Sequence, residues 1–143
     1  RYYLLMQGQL QAAVLPDPMA KSALEAGALS VVDDSTHPCY STSVLSFCLP
    51  ALNHKAEAVR AFLDAWDRAA AKANENPEAF RPLLLEKIRV PKNIQQTYKI
   101  PPFPRNSVPT SEQWQDVVAW MMEKGLLESS QPYHVSITTN YLP

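Results

Sequence analysis

Glycine and cysteine are both scarce in this chain, which has three glycines and two cysteines among 143 residues. No GxGxxG motif or P-loop occurs, so nucleotide-binding loops of those kinds are excluded.

An extended run between Cys39 and Cys48 would separate them by about 30 Å at ~3.3 Å per residue, whereas a disulfide allows only about 7 Å between Cα atoms. Unless the chain folds back on itself, we expect two free, buried cysteines. We expect no structural zinc site, because no Cys/His ligand spacing is present.

The chain also has no excess of either charge, with 13 basic and 14 acidic residues and a net charge of −1. With so little net charge, we expect the chain to bind neither nucleic acid nor an anionic membrane. Its longest uncharged stretch, Pro38 to Asn53, is interrupted by Ser, Thr and Pro and is too polar for a membrane span. The 46% hydrophobic content is that of one ordinary soluble domain. Because the chain starts at Arg1 without a leader pattern, we expect a mature product or, preferably, a piece of a longer chain.

Prolines are abundant: the chain has 13, and they divide it into short elements. In the first third, apolar runs and turn residues predict an α/β fold of helices alternating with short strands. The predicted elements are a helix over Tyr2–Gln7, a strand over Gln9–Leu15, a helix from Asp17 and Pro18 to Gly27, a strand over Leu29–Val32 and a third strand over Tyr40–Cys48.

From Lys55 to Leu127 the pattern predicts mostly helix. The pattern indicates a helix over Lys55–Ala73, with Trp66 packed in the core. Its apolar stripe consists of Val59, Phe62, Leu63, Trp66 and Ala70. Asn76 and Pro77 restart a shorter helix, and the proline-rich run Ile100–Pro109 is predicted to form an extended strap. Thr110 and Gln113 form a capping box for a helix that ends near Gly125. Alternation over His134–Thr138 is compatible with a short edge strand or extended packing.

No residue cluster matches a known metal or catalytic motif, and we predict neither a metal ion nor a cofactor. His37, His54 and His134 are far apart, and the acids Asp33 and Asp34 are typical of a solvated strand end. Two candidate ligand-binding segments remain. Asp17 and Pro18 lie where a strand leads into a helix, the place where α/β sheets hold ligands, although an N-cap is the alternative. The segment Tyr40-Ser41-Thr42-Ser43 offers four hydroxyls, although a polar edge strand is the alternative.

The order of the motifs resembles the C-terminal half of a type II periplasmic solute-binding protein. It is similar to the branch that serves ABC importers for thiamine precursors, sulfonates and nitrate. The residues that carry the resemblance are GQLQAAVLPDP at Gly8–Pro18, STSVLSFC at Ser41–Cys48, AVRAFLDAWDRA at Ala58–Ala69, NPE at Asn76–Glu78 and VPTSEQWQDVVAWMMEKGLL at Val108–Leu127.

The resemblance implies two α/β lobes joined by hinge strands that close over a small solute. Residues 1–40 would end the second lobe, with the return crossover, and residues 41–143 would supply a hinge strand and the C-terminal helical part of the first lobe. By the resemblance, Asp17 and Pro18 match the family's cleft-facing acid and proline, with Asp where Glu is more usual, and Tyr40 to Ser43 match the returning hinge segment.

The function that the resemblance implies is non-enzymatic solute binding for import. The expected partners are a small-molecule solute, the ABC transporter permease, and either the chain's own missing N-terminal half or a second copy. The expected location is periplasmic or extracellular, with membrane contact only through the permease or a lipid anchor. Two alternatives remain open: a pyrimidine-precursor-synthesising enzyme on the same fold, and a helical interaction domain.

Overall fold

Several helices begin just after a proline or end just before a glycine, among them those that begin at Met19, Ser111 and Tyr133. The structure is a computed structural model that describes residues 1–36 and 43–143. Its α-helices over those residues are α1 (Tyr2–Met6), α2 (Met19–Glu25), α3 (Leu49–His54), α4 (Ala56–Glu75), α5 (Arg81–Lys87), α6 (Ser111–Glu123) and α7 (Tyr133–Ser136). Two 3₁₀ turns, Pro77–Phe80 and Lys92–Ile94, complete the regular structure of this part. No helix over these residues is long and apolar enough to cross a bilayer.

The predicted α/β fold is wrong, because none of residues 1–36 and 43–143 lies in a β-strand. Residues 12–16 and 43–48 carry neither helix nor strand, and the apolar run at residues 29–32 is likewise irregular. Several of their apolar side chains are exposed, Val14 at 81% and Val31 at 92%. A β-strand forms only when a neighbouring strand pairs with its backbone. An apolar run in the sequence favours a strand but does not show that such a neighbour exists.

Helix α6 is the element that the sequence predicts best. The Gln113 N–H donates to Thr110 Oγ1 over 3.2 Å, and the Gln113 side chain accepts from the Thr110 N–H at 2.7 Å. At its other end, Gly125 adopts a φ of +68°, and the Leu126 N–H closes the helix on the Met121 carbonyl at 2.8 Å. A left-handed residue at this position favours glycine, which is why the helix ends there.

Helix α4 confirms the prediction for residues 55–73, although its exposed face differs from the predicted one. Val59 and Ala70 are buried as the stripe requires, whereas Trp66 is 51% exposed, so its predicted core role is wrong. Its ring lies 6.2 Å from that of Phe62, which is also exposed.

Cys48, just before α3, is a free but exposed cysteine, which corrects its predicted burial. Cys39 lies outside the described residues.

The described chain divides into two compact units. The first consists of Arg1–Asp33 and Ala73–Pro102, and the second of Asp34–Lys72 and Phe103–Pro143. The predicted boundary between residues 40 and 41 falls outside the described residues. In the first unit, Val90, Ile94 and Tyr98 form a small core against which Leu84 and Leu85 pack.

In the second unit, a partly buried ion pair joins α4 to the proline-rich run. Arg105 donates to Asp67 through Nε at 2.9 Å and Nη2 at 2.5 Å. Residues 100–109 form neither helix nor strand, as predicted for a strap.

Beyond α6, the Tyr133 hydroxyl donates to the Pro109 carbonyl at 2.8 Å. Tyr133 begins α7, so the edge strand or extended packing expected over residues 134–138 is wrong for residues 134–136, which are helical. A helical turn there satisfies backbone groups that would otherwise need a partner strand.

Replacement of Thr110 tests whether the capping box stabilises α6. Thr110→Ala removes the hydroxyl that accepts from the Gln113 N–H, and we expect it to lower the free energy of unfolding by about 0.5–2 kcal/mol. Thr110→Ser keeps the hydroxyl and is the matched control. Urea denaturation followed by circular dichroism measures both, and equal stability of the two variants would contradict the capping role.

The Asp67–Arg105 ion pair predicts an acid-sensitive second unit. The bidentate hydrogen bond from Arg105 holds the pKa of the Asp67 carboxyl below its ordinary value, against the opposing effect of burial. A carboxyl with a lowered folded-state pKa stabilises the fold above its unfolded-state pKa, near 4, and loses that contribution as the pH falls through the folded-state value. We therefore expect Asp67→Asn to have a lower urea midpoint than wild type at pH 7. As the pH falls, the midpoints of the two proteins should approach each other. Asp64→Asn, at an exposed ion pair with Arg68, is the control. A constant difference across the pH range would exclude this linkage.

Candidate functional site

The segment Leu15-Pro16-Asp17-Pro18 leads directly into α2. The helix begins at Met19, and its N-cap is Pro18 without a side-chain hydrogen bond. The first backbone bonds run from the Ala20 N–H to the Pro16 carbonyl and from the Ser22 N–H to the Pro18 carbonyl, both at 3.1 Å. The alternative interpretation of Asp17 as an N-cap is therefore wrong, because its carboxylate accepts no helix N–H.

The Asp17 carboxylate is also exposed and has no hydrogen-bond or ion-pair partner among residues 1–36 and 43–143. The nearest cation along α2 is Lys21, whose ammonium lies 3.3 Å from Glu25, one turn further on. Both oxygens of Asp17 are thus free to accept hydrogen bonds from a bound molecule.

Helix α2 is held in place by a buried hydroxyl. Ser22 is fully buried and donates to Asn93 Oδ1 at 2.7 Å. The Asn93 amide returns a bond to the Ser22 carbonyl at 3.2 Å. Since the Ser22 hydroxyl has one proton and gives it to Asn93, the Tyr2 hydroxyl is the donor in its 2.6 Å bond to Ser22. These bonds fix α2 against α1 and the 3₁₀ turn Lys92–Ile94.

Tyr98 is the residue near Asp17 that sequence reasoning missed. Tyr98 is 8% exposed in the core of the first unit, and its backbone N–H donates to the Ile94 carbonyl at 2.8 Å. Burial raises the pKa of the Tyr98 phenol, and the negative charge of Asp17 raises it further. The signal in the sequence is the spacing of Ile94 and Tyr98, which lie four positions apart after Pro91, as in a single helical turn.

The second candidate segment is only partly described. Tyr40, Ser41 and Thr42 lie outside the described residues. Ser43 is exposed and belongs to the second unit, whereas Asp17 and Pro18 belong to the first. That Asp17 and the hydroxyl segment face one cleft stays a prediction.

Two other features of the described chain bear on ligand binding. Over residues 1–36 and 43–143 no group of three or more His, Cys, Asp and Glu is placed to hold a metal ion. A cavity of about 410 Å³ lies beside α6, with Trp114, Val118 and Tyr133 among its lining residues. The indole N–H of Trp114 donates to the Gln131 carbonyl, and the Tyr133 hydroxyl donates to Pro109. These two donors are therefore already used within the protein.

Comparison of the chain with protein-family models, with curated proteins and with solved structures finds no match.

The pairing of Asp17 and Tyr98 predicts a measurable electrostatic coupling. Asp17→Asn removes the negative charge that disfavours the phenolate, so we expect the pKa of Tyr98 to fall toward its ordinary value near 10 while staying raised by burial. Carbon-13 NMR of the tyrosine rings across a pH titration measures the change, with Asp64→Asn as the control. An identical Tyr98 titration in wild type and Asp17→Asn would show that Asp17 does not lie beside the phenol.

Proposed function

We propose that this chain binds a small polar solute as part of the solute-binding component of an ABC importer. The single observation that carries the proposal is the Asp17 carboxylate, which is exposed, does not cap α2 and has no partner in the described part of the chain. Function depends on the residues of a site rather than on the fold that holds them. The proposal therefore rests on this site and on the order of the sequence motifs, and it does not require a β-sheet within the chain.

The helices agree with the motif order on which the resemblance depends. Ala58–Ala69 lies within α4, and Asn76 caps the 3₁₀ turn that holds the NPE motif by accepting from the Ala79 N–H at 3.3 Å. Val108–Leu127 contains α6 with both of its ends. These elements support the proposal.

The chemistry of the site selects among solutes. A free carboxylate favours a solute with hydrogen-bond donors or positive charge, such as an amino-pyrimidine. It disfavours a sulfonate or nitrate by like-charge repulsion. The remaining wall of the binding cleft would come from chain outside these 143 residues or from a second copy. Delivery would be to the permease in the periplasmic or extracellular space, with or without a lipid anchor.

A helical interaction domain is the second candidate, and the exposed apolar runs favour it. Leu29, Val31 and Val32 are each exposed at 88% or more. Apolar side chains exposed in a row mark surfaces that another protein covers. This candidate needs no solute, so it predicts that the intact protein has no affinity for any of the solutes tested.

Isothermal titration calorimetry of the intact protein with 4-aminopyrimidine, methanesulfonate and nitrate tests the proposed function. We expect 4-aminopyrimidine alone to bind. Asp17→Asn should weaken binding by about 1.5–3 kcal/mol, roughly 10- to 150-fold, if the carboxylate accepts from a charged donor. The melting temperature should change little, because Asp17 does not cap α2. Asp64→Asn is the control for removal of an exposed carboxylate. Unchanged affinity in Asp17→Asn, or preference for the anions, would refute the assignment of Asp17.

A further inference from the structure

Helix α4 has an exposed apolar face in addition to its buried one. Phe62 is 46% exposed and Trp66 is 51% exposed, and the alanines around them are exposed as well. Their spacing along the chain, i, i+4, i+7, i+8 and i+11, places all of them along one side of a helix. The buried residues Val59 and Ala70 lie on another side. We call this exposed side the α4 apolar face, and it consists of Ala58, Phe62, Ala65, Trp66 and Ala69.

The two aromatic side chains of the α4 apolar face already pack within the chain. The ring of Phe62 lies 6.1 Å from that of Phe47, which is half-buried, in an edge-to-face arrangement. On its other side it lies 6.2 Å from the ring of Trp66. Aromatic side chains that are ordered in this way lose little conformational entropy when a partner covers them. Aromatic residues are also enriched at protein–protein interfaces, so the face is suited to binding another protein chain.

The large and small side chains of the face are complementary to each other when two copies are related by a two-fold axis. An axis that passes between Ala65 and Trp66 sets two α4 helices antiparallel and overlaps their apolar faces. It places Phe62 against Ala69 of the partner subunit, because the two residues lie equally far from the axis along the chain. In the same way it places Trp66 against Ala65 of the partner subunit. A large side chain opposite a small one allows two helices to interdigitate.

The charged edge of the α4 apolar face favours the same antiparallel arrangement. Along this edge the acids Glu57 and Asp64 come first, and the basic residues Arg68 and Lys72 come last. The antiparallel pair brings Arg68 near Asp64 of the partner subunit. It likewise brings Lys72 near Glu57 of the partner subunit, so opposite charges meet at both ends. A parallel pair sets this edge against the other edge of the partner helix and makes neither match.

We propose that the α4 apolar face binds the same face of a second copy of this chain, as a two-fold symmetric, antiparallel helix pair. The flanking acids and bases balance in number, so the face lacks the excess of basic residues that favours a membrane surface. The inference does not depend on solute binding, because Asp17 belongs to the first unit, whereas the α4 apolar face belongs to the second.

Sedimentation velocity of the intact protein over a range of concentrations tests the inference with variants that exchange a large and a small residue. Phe62→Ala leaves a space opposite Ala69 of the partner subunit, and Ala69→Phe sets two rings against each other. We expect each single variant to raise the dissociation constant of the dimer by about 10-fold or more. The double variant, Phe62→Ala with Ala69→Phe, restores a large residue opposite a small one. We expect it to recover most of the lost affinity.

Trp120→Ala is the matched control, because Trp120 is an aromatic residue of α6 that is exposed to a similar extent, at 54%. It should leave the dissociation constant unchanged. All of these variants change exposed side chains, and circular dichroism checks that each of them keeps the helix content of wild type.

The other outcomes overturn the inference. A wild type that stays monomeric at every concentration would assign the face to another occupant, such as a different protein or further chain. Tighter dimerisation of Ala69→Phe, or a double variant that recovers no affinity, would exclude the antiparallel pairing of Phe62 with Ala69. A dimer that is lost in Trp120→Ala and kept in Phe62→Ala would place the interface on α6.

Discussion

The buried hydroxyl of Ser22 is the contact on which the candidate site depends. It joins three segments that are distant in sequence, accepting from Tyr2 of α1 and donating to Asn93 of the 3₁₀ turn. A buried polar network is stabilising only when every member is satisfied, and here the Asn93 amide also bonds the Ser22 carbonyl. The network fixes the start of α2, and with it Asp17, relative to the core that holds Tyr98.

Sequence reasoning predicted the helices well wherever local chemistry determines them. The Thr110 capping box, the left-handed Gly125 and the buried positions Val59 and Ala70 of α4 are all local signals, and each is found. The predicted strands failed because a strand depends on a partner that a local pattern does not contain. For the same reason the site was predicted only in part. Asp17 was proposed from its position before a helix, whereas the effect of its charge on the pKa of Tyr98, 81 positions later in the chain, depends on packing that a local pattern does not contain.

The described chain exposes two kinds of surface that a partner could bind. One is the polar Asp17 carboxylate at the start of α2, and the other is a set of apolar side chains. Val14 and Val31 are exposed enough for another chain to cover them. The exposed Asp17 carboxylate is a small polar group without a partner in the described part of the chain, which suits a small molecule. These uses are compatible, because a solute-binding cleft completed by further chain would cover apolar surface while leaving Asp17 at its opening.

The most direct measurement is of the Asp17 carboxyl itself. In the intact protein labelled with carbon-13 at its aspartate carboxyls, the account predicts that 4-aminopyrimidine shifts the Asp17 signal in a saturable way and leaves Asp64 unchanged. A saturable response confined to residues beside the α6 cavity, with the Asp17 signal unmoved, would contradict the claim that Asp17 is the ligand's acceptor.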